Sequence, residues 1–304
     1  MKLRYFLPAF MAIAILCSCS SAGKYDKLQL SLTEFVKDKD ANIGIAVIID
    51  GGDTISVKGD KEFPMLSIYK FPIALAFAEH CRSRNLPFDY PVSVFPEDLH
   101  PDTYSPMTET ILASSRLTTD TLKMPAIQLA AYMLQQSDNN ASDIVLREAG
   151  GAESVDSYLK ALGISQVNVR NSEADMHTDQ TLCYDNTATP IAMANLIDKF
   201  DREFKDSISL EIKQLMETCS TGTGRLAQPL SGSNARIGHK TGTGFILPDG
   251  RIMAVNDAGY IHMPGNGHRY SIAVFVENSG YDMTDTESII AEISHIVFSY
   301  LSKQ

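Results

Sequence analysis

"PMLSIYKFPIALAFAEH", residues 64–80, places a hydroxyl and an ammonium group inside an apolar run that reads as a buried helix. On a helix, positions i and i+3 share a face, so Ser67 and Lys70 stand one turn apart with the amine near the hydroxyl. A serine hydroxyl does not ionise unaided near neutral pH. A lysine relieved of its proton by burial or by neighbouring cations can take the hydroxyl proton. The pair is a candidate nucleophile and base, although Ser-x-x-Lys arises by chance in most chains and needs support from elsewhere. Pro72 adds a structural expectation. Its ring removes the hydrogen bond to Ile68 and crowds that carbonyl, which predicts a tightened or bent first turn.

Support comes from two further stretches. In "LQQSDNNAS" (134–142), Ser137-Asp138-Asn139 follows an apolar helix ending near Gln136, and in "IGHKTGTGF" (237–245), Lys240-Thr241-Gly242 lies within a predicted strand. Either tripeptide alone is equally a polar loop or a solvated strand edge. Ser-x-x-Lys, Ser-Asp-Asn and Lys-Thr-Gly in this order across one chain are far less easily coincidental.

Outward from these stretches, residues 27–38, "KLQLSLTEFVKD", read as an amphipathic helix, and "NIGIAVIIDGGDTISVKG" (42–59) as two β-rich runs around a hairpin signal at Asp50-Gly51-Gly52-Asp53. Helical punctuation follows. Thr189-Pro190 is an N-cap with proline at the first helical position, Gly150 and Gly163 stand where helices should stop, and Ile127, Ala130, Ala131 and Leu134 keep helical spacing. From about Ala235 the pattern returns to strands in "ARIGHKTGTGF", "RIMAVNDAGYI" and "YSIAVFVENSG", with a turn at Pro248-Asp249-Gly250. A last helix carries Ile289, Ile293, Ile296, Val297 and Tyr300 on one face. The order predicts an α+β fold: an antiparallel sheet flanked by helices, its strands drawn from both ends of the chain, with an all-helical domain inserted. The expected divisions are 1–22 as a leader, 23–62 and 218–304 as the two parts of the α/β domain, and 63–217 as the helical domain.

Lys2 and Arg4 precede a 13-residue apolar run from Tyr5 to Cys17, the layout of a bacterial export signal and too short to span a bilayer. Small residues at Ser20 and Ala22 suit ordinary cleavage, whereas "LCSC" resembles a lipobox that would leave Cys19 as a lipidated terminus. The expected location is periplasmic, with a membrane anchor only through that lipid. Removing the leader moves the formal charge from −11 to −13, a balance that repels nucleic acid. Beyond the leader, Cys81, Cys183 and Cys219 allow at most one disulfide, and the seven histidines are scattered without metal-ligand spacing. Neither a metal nor a cofactor is expected, and a monomer is the default.

With the three motifs quoted, together with "YSPMTE" (104–109) and "TGTGRL" (221–226), the sequence resembles the class A serine β-lactamases over essentially the whole mature chain. The resemblance implies an acylated nucleophile at Ser67 with Lys70 as its proton-relay partner. It implies that Ser137 passes a proton to the departing lactam nitrogen and that Asn139 holds the substrate's side-chain amide. Lys240 and Thr241 would bind the substrate carboxylate, and the backbone N–H groups of Ser67 and Thr243 would form an oxyanion hole. Gly242 and Gly244 would let substrate approach the strand edge without meeting Cβ atoms. Tyr104 matches either a rim aromatic that stacks on substrate or a surface turn tyrosine.

Penicillin-binding carboxypeptidases share the three motifs, so deacylation separates the branches. In "VRNSEADMHTDQTLCYDNTATP" (169–190), Glu173 occupies the place of the glutamate that activates the hydrolytic water. Here the family's arginine two residues before it and asparagine four after it are Asn171 and His177, and Arg170 lies one place further away. The family's salt-bridged loop is therefore not carried over. The "E-x-x-M-H" loop resembles that of extended-spectrum and Bacteroides-type cephalosporinases, which implies cephalosporins among the substrates and His177 as a partner at the water site, the alternative being a loop-packing histidine. The rival functions are a peptidoglycan carboxypeptidase and a lipoprotein that binds β-lactams or wall fragments without turnover.

Overall fold

The computed structural model describes residues 23–114, 121–265 and 267–304, so the leader, Cys19 and both cleavage readings lie outside the described residues. α1 (Asp26–Val36) forms on the expected pattern and buries Leu28 and Leu32. β1 (Asn42–Ile49) and β2 (Asp53–Val57) pair antiparallel as the hairpin signal predicts. Asp50 and Gly51 have φ of 52° and 73°, the left-handed pair that a tight hairpin turn requires.

The helical part begins at β3 (Phe63–Pro64), which leads into a 3-10 turn, Leu66–Tyr69, and then α2 (Lys70–Ser83). This is the tightened turn that Pro72 predicts. Ser67 stands in the 3-10 segment, where residues three apart eclipse, and the Lys70 N–H closes the turn onto the Ser67 carbonyl. Pro72 is the third residue of α2, where an N–H has no intrahelical partner to lose.

β4 (Pro91–Val94), α3 (Pro106–Ala113), β5 (Leu122–Pro125), α4 (Ala126–Gln135), α5 (Asn139–Glu148) and α6 (Ala152–Ala161) follow. Gly150 and Gly163, at φ of 94° and 82°, end α5 and α6 as expected. Then come β6 (Val167–Asn168), α7 (Glu173–Thr178), β7 (Thr187–Ala188), α8 (Pro190–Glu203) and α9 (Ser207–Glu217). The small sheet β3-β7-β6 ties both ends of the 169–186 loop to the entry of α2. Thr189 caps α8 by accepting the Ala192 N–H.

β8 (Arg236–Thr243), β9 (Ile252–His262), β10 (Arg269–Ser279) and α10 (Met283–Leu301) complete the chain. The main sheet runs β2-β1-β10-β9-β8 with every pair antiparallel, so the two ends of the chain do share one sheet. Alternate residues serve its two faces. Ile43, Ile45, Val47 and Ile49 of β1 pack with α1 and with Ile289, Ile290, Ile293, Val297 and Leu301 of α10. On the other face Ala46, Ile48, Ala258, Tyr260, Ala273 and Phe275 join the core of the helical part, chiefly through Met193, Leu196, Ile197 and Phe200 of α8. β8 is an edge strand, and its unpaired edge faces the start of α2. Among the described residues no helix is long and apolar enough to cross a membrane.

Candidate active site

The turn that carries Ser67 is reached through strained backbone. Leu66 has φ of 48°, a left-handed conformation that a residue with a Cβ adopts at a cost. The surroundings fix it there: the buried Asn256 side chain of β9 donates to the Pro64 carbonyl at 2.8 Å and to that of Met65 at 3.2 Å, and the Met65 N–H donates to Asn186 O at 2.8 Å. β8 lies hard against the same turn. A Cβ on Gly242 would stand 2.6 Å from the Met65 carbonyl oxygen and 3.2 Å from the Ser67 nitrogen. Glycine is needed at 242 for the strand to approach the turn, a requirement separate from the room for substrate that the resemblance implies. Gly244 is tight against the Leu66 and Met253 side chains in the same way, and it also lines the hollow at Ser67.

The Gly244 N–H is bonded to Ala254 O of β9, so by the alternation of an antiparallel ladder the N–H of Thr243 points to the free edge, toward the turn that carries Ser67. Two backbone donors, those of Ser67 and Thr243, thus border one hollow of about 320 Å³, lined also by Asn139, Glu173, Gly244 and an apolar wall of Met176, Cys183 and Phe245.

Two buried lysines form the floor. Lys70 is fully enclosed, and its Nζ donates to Ser137 O at 2.8 Å, Asn139 Oδ1 at 2.6 Å and Glu173 Oε1 at 2.9 Å, so all three N–H bonds have an acceptor. Lys240 Nζ donates to Ser137 Oγ and to Thr241 O, both at 2.9 Å. Ser137 therefore bridges the two amines, its carbonyl on one and its hydroxyl on the other, from a backbone held at φ of 61°. Burial, with Lys70 nearby, pushes Lys240 down to about 7 against the pull of Asp257 and Glu173.

Asp138 fixes the Ser-Asp-Asn turn from inside. Fully buried, it accepts from Ala141 N to cap α5, from Met107 N at 2.6 Å and from Ser105 Oγ, which binds this turn to the "YSPMTE" segment. Asn139 is oriented by Lys70 on its oxygen and by Thr103 Oγ1, 2.8 Å from its nitrogen. Tyr104 contributes its carbonyl, which accepts the Asn139 N–H at 3.0 Å, while its ring is exposed.

Glu173 begins α7 and turns inward, with a side chain 14% exposed. The residue that holds it there escaped the sequence reading: Asp143 of α5 accepts the backbone N–H groups of Glu173 and Ala174, each at 2.8 Å. Burial and the nearby Glu173 charge raise the Asp143 carboxyl to about 7 against these two donors. Asn186 serves the other side of the loop, accepting from Arg170 N and Asn171 N and donating to Asn171 O. Arg170 does form an ion pair, with Asp156 of α6, so the loop keeps a salt bridge at the shifted position. His177 is exposed and lines a separate hollow of about 100 Å³ with His100, Thr103 and Asp143. Glu173 lines both hollows, Ser67 only the first, so His177 stands behind Glu173 rather than beside the nucleophile.

Arg225, inside the quoted "TGTGRL" stretch, is a further site residue to which sequence reading gave no role. Almost fully buried, it donates to Thr243 Oγ1 at 2.7 Å and to the carbonyls of Gly242 and Asn256, and Glu287 pairs with it at 2.9 Å. It sets a third cation beneath the rim at Thr243.

A nucleophile turn under a strand edge, two buried amines and an inward carboxylate is the geometry of acyl transfer to serine followed by hydrolysis. The family model for the β-lactamase enzyme family matches residues 27–301. The chain belongs to that family. It is 36% identical to β-lactamase VEB-1 of Pseudomonas aeruginosa over 92% of each chain, and 33% identical to a β-lactamase of Bacteroides uniformis over 95% of this chain and 97% of that one. The crystal structure of a class A β-lactamase from Bacteroides cellulosilyticus superposes with a TM-score of 0.84 at 31% identity, covering 91% of this chain and 98% of the other. The fold and the class A serine β-lactamase assignment that the motifs imply are thereby established.

Proposed function

We propose that the protein is an exported monomer that hydrolyses β-lactams through an acyl ester on Ser67, with cephalosporins among its good substrates. The observation that carries the hydrolytic step is the placement of Glu173, 2.9 Å from Lys70 Nζ and on the wall of the hollow into which Ser67 opens. Lys240, Thr241 and Arg225 draw the substrate carboxylate to the edge of β8, and Asn139 meets its side-chain amide. The N–H groups of Ser67 and Thr243 take the charge that develops on the lactam oxygen.

The Ser67 proton is relayed by Lys70 toward Ser137, which Lys70 and Lys240 both contact. Ser137, hydrogen-bonded to Lys240, supplies a proton to the departing nitrogen and is reprotonated through this relay, so the proton lost by Ser67 is balanced on the nitrogen and the Glu173 carboxylate is left for the next step. Once the nitrogen has left, Glu173 takes a proton from water on the wall of the same hollow, and that water cleaves the ester.

The cephalosporin reading rests on the "E-x-x-M-H" loop, and export rests on the leader, with lipidation at Cys19 as its anchored form. Intact mass of the exported protein distinguishes the two cleavages. For the reaction, a stopped-flow trace with nitrocefin is decisive: the account predicts turnover that continues until substrate is consumed. A burst of one equivalent that then stops contradicts it, in favour of a carboxypeptidase or a binding protein that stays acylated.

A further inference from the structure

The rim assigned to the substrate carboxylate is assembled from two segments far apart along the chain: β8, which carries Lys240 and Thr241, and the 221–226 turn, which carries Arg225. Arg225 ties them together at the rim through Gly242 O and Thr243 Oγ1. A second tie lies beneath, on the face of the main sheet that α10 covers. There Asp257 of β9 stands across the ladder from Thr241 and diagonally from His239, the residue before Lys240. Asp257 is fully buried and His239 nearly so, and His239 Nδ1 lies 2.9 Å from Asp257 Oδ1 and 3.0 Å from Oδ2. The same Oδ2 accepts the backbone N–H of Leu226, the residue after Arg225, at 3.2 Å. Ser294 of α10, fully buried as well, donates to the Leu226 carbonyl at 2.9 Å.

A carboxylate shut away from water is costly unless donors surround it, and an apolar side chain of similar size would often fill such a position at no loss of stability. The hydrolytic scheme of Ser67, Lys70, Ser137 and Glu173 does not use Asp257. What its carboxylate supplies is a pair of acceptor oxygens aimed at the immediate neighbours of two rim cations, His239 beside Lys240 and Leu226 beside Arg225. Burial works against a charge on His239, and the Asp257 carboxylate overrides it by raising the proton affinity of the ring, which strengthens the tie. The turn and the strand are in close contact where the tie would slacken. Thr221 Oγ1 lies 2.6 Å from Thr241 Oγ1, and a Cβ on Gly222 would stand 2.6 Å from Thr241 Cγ2 and 3.0 Å from Arg225 Cδ. A Leu226 N–H without its acceptor therefore lets the turn lift away from Thr241 and carry Arg225 with it.

We propose that Asp257, paired with His239, is a positioning residue for substrate charge: it holds the Arg225 turn and the Lys240–Thr241 strand at the separation that fits a carboxylate, and so sets the preference for anionic over uncharged β-lactams. Asp257 touches no reacting atom and acts only through the backbone at 226 and the ring at 239. The inference rests on the reading of this rim as the carboxylate site. Damage to it is expressed in binding of the charged group, which is made before the chemical steps and persists through them, and not in the steps at Ser67 and Glu173.

The test compares kcat/KM of the mature protein for a cephalosporin and for the uncharged methyl ester of the same compound. In Asp257→Ala the acid-to-ester ratio should fall by about tenfold, through a higher KM for the acid with kcat held within about twofold. Asp257→Asn, whose amide oxygen can still accept from Leu226 while its nitrogen donates to a neutral His239, should recover most of the ratio. A merely structural lesion lowers acid and ester together, so an unchanged ratio in folded Asp257→Ala overturns the proposal. Should that variant fail to fold, Ser294→Ala frees the opposite side of Leu226, and the ratio should fall by about two- to threefold; no change there overturns the proposal equally. A wild-type burst that stops after one equivalent overturns the hydrolase reading instead. The rates at which acid and ester label Ser67, read by intact mass, then give the same ratio and still decide the role of Asp257.

Discussion

The two halves of the active site are held in different ways. The floor under Ser67 is built by regular structure: the 3-10 turn and α2, the head of α5 and the edge of β8 converge, and the buried lysines 70 and 240 tie them together through Ser137. The wall that carries Glu173 is the 169–186 loop, whose helical turns are short, and it is held by Asp143 of α5, by Asn186 at its own far end and by the Arg170–Asp156 pair. The difference assigns them different steps. The floor suits formation of the acyl ester and the wall its hydrolysis, so damage to the floor should stop both, and damage to the wall only the second.

The largest effect is expected at the floor. Ser67→Ala should abolish covalent labelling by a β-lactam and lower kcat by roughly 10³-fold or more, measured by intact mass and steady-state kinetics. Residual labelling in that variant would move the nucleophile elsewhere. Next is the pH response of Lys240. Since burial brings its ammonium to about 7, the charge that attracts a substrate carboxylate is present below that value and lost above it. kcat/KM for an anionic substrate should therefore fall above pH 7, by up to about tenfold per unit. Lys240→Arg, which stays charged, should flatten that limb, and an unchanged limb would assign it to another group.

At the wall, Asp143→Ala leaves the N–H groups of Glu173 and Ala174 without their acceptor. It should cost about 1–3 kcal/mol of stability and slow deacylation while acylation proceeds normally. Equal loss in both steps would erase the division between floor and wall. Asp143 also has a signature of its own. Its folded value is raised to about 7 from an ordinary 3.8, so the stability it contributes is complete below the lower value and is lost as pH rises through the higher one. Asp143→Asn should therefore show a shallower decline of Tm across that interval. The smallest effect is expected for Arg170→Ala, because the Arg170 side chain is 47% exposed and its pairing with Asp156 is screened by water. A loss below about 1 kcal/mol with deacylation nearly intact would show that Asp143 and Asn186 carry the loop, whereas a large kinetic loss would make the ion pair its main support.

The same contrast explains how much the sequence discloses. Ser67, Lys70, Ser137, Asn139, Lys240 and Thr241 belong to short motifs on regular elements, where spacing along the chain translates directly into position. The hairpin at Asp50-Gly51, the cap at Thr189 and the tightened turn at Ser67 are legible for the same reason, since each is a local property of a few residues. Asp143 acts on a backbone 30 residues away and Asn186 on one 15 residues away, and no local pattern marks such partners. Gly242 and His177 show the limit from the other side. Both stand at positions a motif singles out, yet the motif does not disclose that Gly242 abuts the Met65 carbonyl, nor that His177 lies on the far side of Glu173. The Arg170–Asp156 pair restores, with a one-residue shift, a tie that the departures at 171 and 177 suggest is missing.

The central claim is that Glu173 releases the acyl ester, and intact mass of Glu173→Gln mixed with a cephalosporin tests it most directly. The account predicts that the variant gains the mass of the opened drug at close to the normal rate and then keeps it, as the ester persists for many times its wild-type lifetime. Rapid turnover with no accumulated adduct would contradict it and take the hydrolytic step away from this carboxylate.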